Sequence, residues 1–308
     1  MLVRSPSSRS IEPRARASAQ CAGLAAALAC LSSHADVAGV PKELLFVGLT
    51  HGEWRLIVGE GSAAPRRIDS VSEPRTPAYS LKRNRIAYVS SAGELREIDL
   101  ISGADSVLLK PSREIAFTQP AYRPESDEIY VVALRGASSV DTDIVRVDRS
   151  AQRTVPLLRQ RSAQFEPSFT RDGARMLYSN VVCGSECPKI VQELWSMDVV
   201  GGVAEQITLL NSVSRQAAAG GGDRIVFASS KSGHYQLWGI DAAGASPRRL
   251  TESPAVDESP VIGDAGEIYF VRRTAAGGGL MRVDVSGRAQ SVALPDSISD
   301  VRDVRWGG

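Results

Sequence analysis

Histidines, cysteines and closely spaced carboxylates are the residue types from which catalytic and metal sites are usually assembled, and this chain has few of them. Of its three histidines, His34 falls in an N-terminal segment considered below, while His51 and His234 stand in separate turns with no second histidine beside either. A Ser-His-Asp hydrolase needs a positioned base, and a metal-dependent lyase or lactonase needs several converging ligands. Neither set can be picked out. Asp141 and Asp143 form a D-x-D pair of calcium-ligand type, but one such pair supplies too few oxygens. Cys183 and Cys187 share a short loop, and in an oxidising compartment they are placed to form a disulfide closing about five residues, worth roughly 2 kcal/mol by chain entropy. That would stiffen a loop without holding a domain together. With no histidine near them, the two cysteines are weak evidence for a metal, which needs four ligands or three plus water. The expectation is no catalytic set, no metal and no cofactor.

The elements that would position any site are set by composition and pattern. Hydrophobic residues make up 43% of the 308 and charged residues 23%, and there are 27 glycines. That is enough apolar material for a sizeable core, with many turns. The 36 basic and 35 acidic side chains nearly cancel, so nucleic acid and anionic membranes are excluded as electrostatic partners. Residues 1–35 differ from the rest: Arg4, Arg9, Arg14 and Arg16 precede an Ala-rich apolar stretch at 17–31, followed by Ser33, His34 and Ala35. This is the pattern of a secretory signal peptide, cleaved after Ala35. The stretch is too short to span a bilayer comfortably, and it lacks the polar spacing of an amphipathic helix of the folded domain. Losing those four arginines and Glu12 takes the net charge from +1 to −2. In a variant reading Cys30 is the lipid-attachment site of a bacterial lipoprotein, although Ala27 stands where a bulky aliphatic residue is expected.

From residue 36 onward, short β-branched and aromatic runs alternate with clusters of Gly, Asp, Ser and Pro, and no helical period persists. The runs repeat. Pro77-Ala78-Tyr79-Ser80, Pro120-Ala121-Tyr122-Arg123 and Pro167-Ser168-Phe169-Thr170 each precede, nine residues after the proline, a strand beginning at Ile86, Ile129 or Met176. A degraded copy starts at Gln216 before Ile225, and a shorter one at Pro260 before Ile268. Each copy continues with a third strand ending in Asp99, Asp148, Asp198, Asp241 or Asp284, then a more polar fourth strand at 105–109, 153–158, 204–210, 247–252 or 289–295. Four strands per repeat of roughly 45 residues make a propeller blade. Residues 43–69 supply three strands of a further blade, and 303–307 supply the missing innermost one. The predicted fold is all-β: a six-bladed β-propeller over residues 36–308, closed by the C-terminal strand joining the first blade. The closing aspartates precede small-residue turns and read as backbone caps. Pro65-Arg66-Arg67 and Pro247-Arg248-Arg249 read as edge protection for the outer strands. Trp195 and Trp238 share a register and read as packing.

These units resemble the WD40-like repeats of the TolB-type propeller, whose blades read roughly P-x-W-S-P-D-G-x-x-I-x-F, I-Y-x-M-D and R-x-L-T. The nearest matches are residues 167–178 with Arg171-Asp172-Gly173, Leu194 to Asp198, Leu237 to Asp241, and Arg248 to Thr251. The second blade departs from the pattern with Leu81-Lys82-Arg83, and the fifth with three glycines. A counterpart of the separate N-terminal TolB domain is expected to be absent, so the resemblance implies a propeller of the same kind. The residue before each proline-equivalent is expected at the start of an innermost strand, near the mouth of the central channel: Thr76, Gln119, Glu166, Arg215, Ser259 and Asp303. Polar side chains converging there would bind a ligand or simply face water. The function expected is a non-catalytic periplasmic scaffold that binds a protein or peptide of the cell envelope. The alternatives are a lyase, lactonase or cyclase with an axial site, or a propeller subunit regulating a separate peptidase.

Overall fold

Second strands such as Arg85–Val89 and Ile129–Arg135 are apolar on both faces, with every residue of 86–89 and 129–133 buried. A strand that alternated would cover only one neighbour, whereas these are packed from both sides. The computed structural model describes residues 39–307 apart from 137–141, 159, 161, 184–187, 242–244 and 285. No helix occurs among the described residues, and the strands form six antiparallel four-stranded sheets. The chain is a six-bladed β-propeller.

Blades are numbered here in chain order. The innermost strands are Ile298–Trp306 in blade 1, Arg75–Ser80 in blade 2 and Ile115–Tyr122 in blade 3; Gln164–Phe169, Ser214–Ala219 and Val256–Ile262 serve blades 4, 5 and 6. Ile298–Trp306 pairs antiparallel with Leu44–Thr50, setting Leu44 opposite Trp306 and Leu45 opposite Arg305. The tail therefore completes the sheet that the head begins, and the ring has no open seam. Two backbone bonds finish the closure, from the Gly307 N–H to the Glu43 carbonyl and from the Leu81 N–H to the Gly307 carbonyl, each 2.8 Å.

The core is divided among the seams between blades. Six buried apolar clusters are present among the described residues, and each joins two neighbouring blades; one packs Leu45, Val47 and Leu56 of blade 1 against Ile86, Tyr88 and Ile98 of blade 2. Tyr88, Tyr130 and Tyr178 are fully buried, and a large side chain so placed contributes about 1.5–3 kcal/mol. Each blade thus depends on the next for its apolar faces.

The outer strands of blades 4, 5 and 6 are shorter than the sequence led us to expect: Glu205–Gln206, Arg248–Arg249 and Ala289–Ser291. In blades 4 and 5 the cause is a threonine. The Thr208 hydroxyl accepts the Leu194 N–H at 2.9 Å, and the Thr251 hydroxyl accepts the Leu237 N–H at 3.0 Å. A side-chain oxygen there takes the place of the next backbone carbonyl, so the ladder ends while the third strand stays satisfied. This gives the R-x-L-T motif a physical role.

Candidate functional site

Each innermost strand holds one non-glycine residue in the left-handed region: Thr76 (φ 43°), Gln119 (51°), Glu166 (56°), Gln216 (57°), Ser259 (53°) and Asp303 (54°). Around each, the pairing with the second strand slips by one residue. Each is a β-bulge, which leaves the extra residue outside its own ladder. Such a backbone costs on the order of 1–3 kcal/mol and persists only where its surroundings hold it.

Hydrogen bonds between blades supply that support. Gln119 N–H donates to Thr76 Oγ1 at 3.0 Å, Glu166 N–H to Gln119 Oε1 at 2.9 Å, Gln216 N–H to Glu166 Oε2 at 3.0 Å, and Ser259 N–H to Gln216 Oε1 at 2.8 Å. Each side chain thereby satisfies the backbone donor that the bulge has freed in the following blade. Proline comes next at 77, 120, 167 and 260, where a missing N–H removes no ladder bond.

This arrangement changes the sequence expectation in two ways. The residues lie within the innermost strands and not at their starts. In blade 5 the position belongs to Gln216, because the hairpin that follows is one residue shorter there: Ala219 pairs with Ile225 and Ile262 with Ile268, six apart, whereas Tyr79 pairs with Ile86, seven apart. The shortened spacing already visible between Pro260 and Ile268 was the signal that could have placed it. Arg215 lies outside the cavity lining, with its guanidinium 4.1 Å over the Tyr235 ring and bonded to Glu258 at 3.1 Å.

Thr76, Gln119, Glu166, Gln216, Ser259 and Asp303 line a cavity of about 250 Å³ in the channel. Its wall combines small apolar residues, at Ala78, Ala121, Ala217 and Ala219, with larger ones at Tyr79, Tyr122, Phe169 and Trp306. Charged side chains crowd the rim. Lys82 and Arg83 of blade 2 pair with Glu125 and Asp127 of blade 3; Arg123 of blade 3 donates to Glu128 at 2.7 Å and to the Gly173 carbonyl of blade 4 at 2.8 Å. Arg171 of blade 4 reaches blade 6, meeting Asp264 at 2.6 Å and the Gly263 carbonyl at 2.9 Å.

The other residues singled out in the sequence are dispersed. Asp99, Asp148 and Asp284 cap turns through their carboxylates, accepting from Ile101 and Ser102, from Ala151, and from Ser286 and Arg288. Asp198 and Asp241 face Arg175 and Arg248 in ion pairs. His234 Nε2 lies 2.7 Å from the Ser253 carbonyl, and His51 is an exposed turn residue. Asp143 binds Arg135 at 2.8 Å, and Asp141 lies outside the described residues. Cys183 ends a second strand, while Cys187 lies outside the described residues, as do residues 1–35 with Cys30. Trp195 and Trp238 pack against apolar clusters at two neighbouring seams. Among the described residues no three His, Cys, Asp or Glu side chains gather as metal ligands, and no helix is long and apolar enough to cross a membrane.

A family model described as the TolB beta propeller domain matches residues 60–308. The chain belongs to the TolB propeller family. Its fold is similar to that of TolB from Acinetobacter baumannii, with a TM-score of 0.70 and 20% identity over 87% of this chain and 68% of that one. A protein from Agrobacterium tumefaciens assigned as TolB superposes with a TM-score of 0.62 and 14% identity, covering 81% and 87%. An oligogalacturonate lyase in complex with manganese gives 0.58 and 14%, covering 83% and 75%. At these identities the likeness shows the fold alone. Comparison with curated proteins gives no match. Within the TolB family pattern, the bulged ring accounts for why a proline recurs in the innermost strand of four blades.

Proposed function

We propose that this TolB-family propeller is an exported, non-catalytic binding scaffold that takes a segment of a protein or peptide partner of the cell envelope into the cavity at its channel. One observation carries this reading: at four of the six bulges lining the cavity, Thr76, Gln119, Glu166 and Gln216, the polar side chain is already engaged in holding blades together. Glu166, a carboxylate of the cavity lining, accepts from the Gln216 N–H and from the Ser179 hydroxyl at 2.7 Å. A group committed to structural bonds in this way is poorly suited to exchanging a proton with a substrate, which needs a free, positioned site. The wall and rim remain as a recognition surface. The secretory pattern of residues 1–35 supports export, and an oxidising compartment would favour the Cys183–Cys187 pairing as a stiffened loop.

Photo-crosslinking tests the reading. A crosslinking side chain in place of Ser80, on the cavity wall, is expected to capture a partner from envelope extracts; one in place of Val203, which is 85% exposed elsewhere, is expected to capture none. Equal capture from both positions, or none from Ser80, would overturn it.

A further inference from the structure

One position on the cavity wall breaks the ring's own pattern. Two residues beyond each bulge stand Ala78, Ala121, Ser168, Ala218 and Val261 in blades 2 to 6, and Arg305 in blade 1. The register confirms the equivalence: Ala78, Ala121, Ser168, Ala218 and Val261 are the first residues paired after their bulges, and Arg305 is the corresponding one, opposite Leu45. Four of these small residues, Ala78, Ala121, Ser168 and Val261, line the cavity together with the one guanidinium, while Ala218 packs in the seam between blades 5 and 6.

Arg305 lines the cavity and is partly buried. Its one hydrogen bond among the described residues goes from Nη1 to the carbonyl of its own neighbour Val304, at 2.8 Å. An arginine carries five N–H donors, so most of the fork is uncommitted. The other cations of the lining are each matched: Lys82 with Glu125, Arg83 with Asp127, Arg123 with Glu128 and Arg171 with Asp264. Arg305 makes no ion pair among the described residues. The floor carboxylates are occupied elsewhere, Glu166 by Ser179 and Gln216, and Asp303 beside Arg302 at 3.7 Å.

We infer that Arg305 is the anchor for a carboxylate on the bound segment. A planar guanidinium matches a carboxylate in two parallel bonds, and such bonds are stronger where water is partly excluded. Phosphate would satisfy the same fork, but Glu166 and Asp303 in the cavity disfavour a dianion more than a single charge. The volume, just under the roughly 300–1,000 Å³ of small-molecule pockets, admits a short extended piece of chain. The carboxylate belongs either to a free C-terminus or to an Asp or Glu side chain.

This inference rests on the scaffold reading but is tested separately, by titration calorimetry on the purified protein. The probes are trialanine with a free carboxylate, trialanine amide, N-acetyl-Ala-Asp-Ala amide, and inorganic phosphate. Binding is expected from the first or the third, which distinguishes the C-terminal from the side-chain source, and not from trialanine amide or phosphate. Arg305→Ala gives the position the residue type found in three other blades and is expected to fold, as checked by its thermal transition. It should weaken the acidic probe about tenfold or more, the usual order for losing a charge-assisted pair. Arg305→Lys should retain part of the affinity. Unchanged affinity in Arg305→Ala, equal binding of the amide, tighter binding of phosphate, or no binding of either acidic probe would each overturn the proposal. Capture of a partner from Ser80 with no acidic probe bound sinks this inference and leaves the scaffold reading standing; the reverse result sinks the scaffold reading alone.

Discussion

The Glu166 carboxylate of blade 4 accepts the backbone N–H of Gln216 in blade 5 at 3.0 Å, at the place where both residues hold a left-handed backbone. Removing that acceptor leaves a partly buried donor without a partner, which costs about 1–3 kcal/mol. Glu166→Ala is therefore expected to lower the urea midpoint by a corresponding amount, while Glu166→Gln, which keeps an amide oxygen in reach, should lose little. Asp303 has the same backbone but accepts no N–H from a neighbouring blade among the described residues. Asp303→Gly removes the steric penalty at φ 54° at the loss of only the long 3.7 Å ion pair with Arg302, and should be neutral or stabilising. If Asp303→Gly costs as much as Glu166→Ala, the relay is not what holds the ring.

A second seam gives a pH dependence. Glu97 of blade 2 is 5% exposed and is bound by Arg149 of blade 3 at 2.6 and 2.8 Å, by Tyr122 of blade 3 at 2.7 Å, and by Arg85 at 2.7 Å. Burial alone would raise its pKa. The hydrogen bonds from Arg149 and Tyr122, the Arg149 charge and the Arg85 bond together outweigh that and hold the carboxyl below its ordinary value of 4.5. Because the native value is the lower one, the unfolded chain binds the proton first as pH falls. Stability from this group is complete above 4.5 and drains away as pH drops through the native value. Unfolding curves taken across that window should show the wild type losing stability towards Glu97→Gln. Parallel curves for the two proteins would refute the assignment.

The ring's closure has a tight spot at its last described residue. A Cβ on Gly307 would lie 2.4 Å from Tyr79 Cδ1, inside the ring edge of the neighbouring blade. Tyr79 is itself fixed, 6% exposed and donating to the Lys42 carbonyl at 3.0 Å. Overpacking of this kind typically costs about 1–3 kcal/mol. Gly307→Ala is expected to lower the melting temperature, and Tyr79→Leu, which removes the ring edge, should restore part of the difference in the double variant. No recovery in the double variant would place the strain elsewhere.

The repeat made the blades legible because packing on both faces demands apolar runs at fixed spacing, and Ile86, Ile129 and Met176 keep that spacing. Closure was legible for the same reason, since 303–307 has the pattern of an innermost strand that residues 43–69 lack. Hydrogen bonding between side chain and backbone across a seam leaves no periodic trace, because Thr, Gln and Glu serve equally as acceptors. From sequence, five of the six bulges therefore read only as polar positions near a mouth. In blade 5 the sequence points to Arg215 in place of Gln216, because a degraded repeat with no proline hides a hairpin shortened by one residue. Arg305 passed unnoticed because only the ring, in which it aligns with Ala78 and Val261, shows that a charge is unexpected there.

The cavity is asymmetric at blade 5, and that asymmetry offers a way to close it. Three residues beyond the bulges stand Tyr79, Tyr122, Phe169, Ile262 and Trp306, but Ala219 in blade 5. Ala219 lines the cavity, and the Gly220-Gly221-Gly222 loop beyond it has no Cβ atoms. Ala219 sits at the cavity against the seam with blade 4, where its counterparts in blades 1 to 4 already carry rings. Ala219→Phe is expected to fold with a melting temperature close to wild type, since it gives blade 5 the residue type found in blade 4. It should abolish both capture from Ser80 and binding of the acidic peptide, because the ring would occupy volume that the ligand needs. A variant that folds and still binds both would show that partners engage the propeller away from its channel.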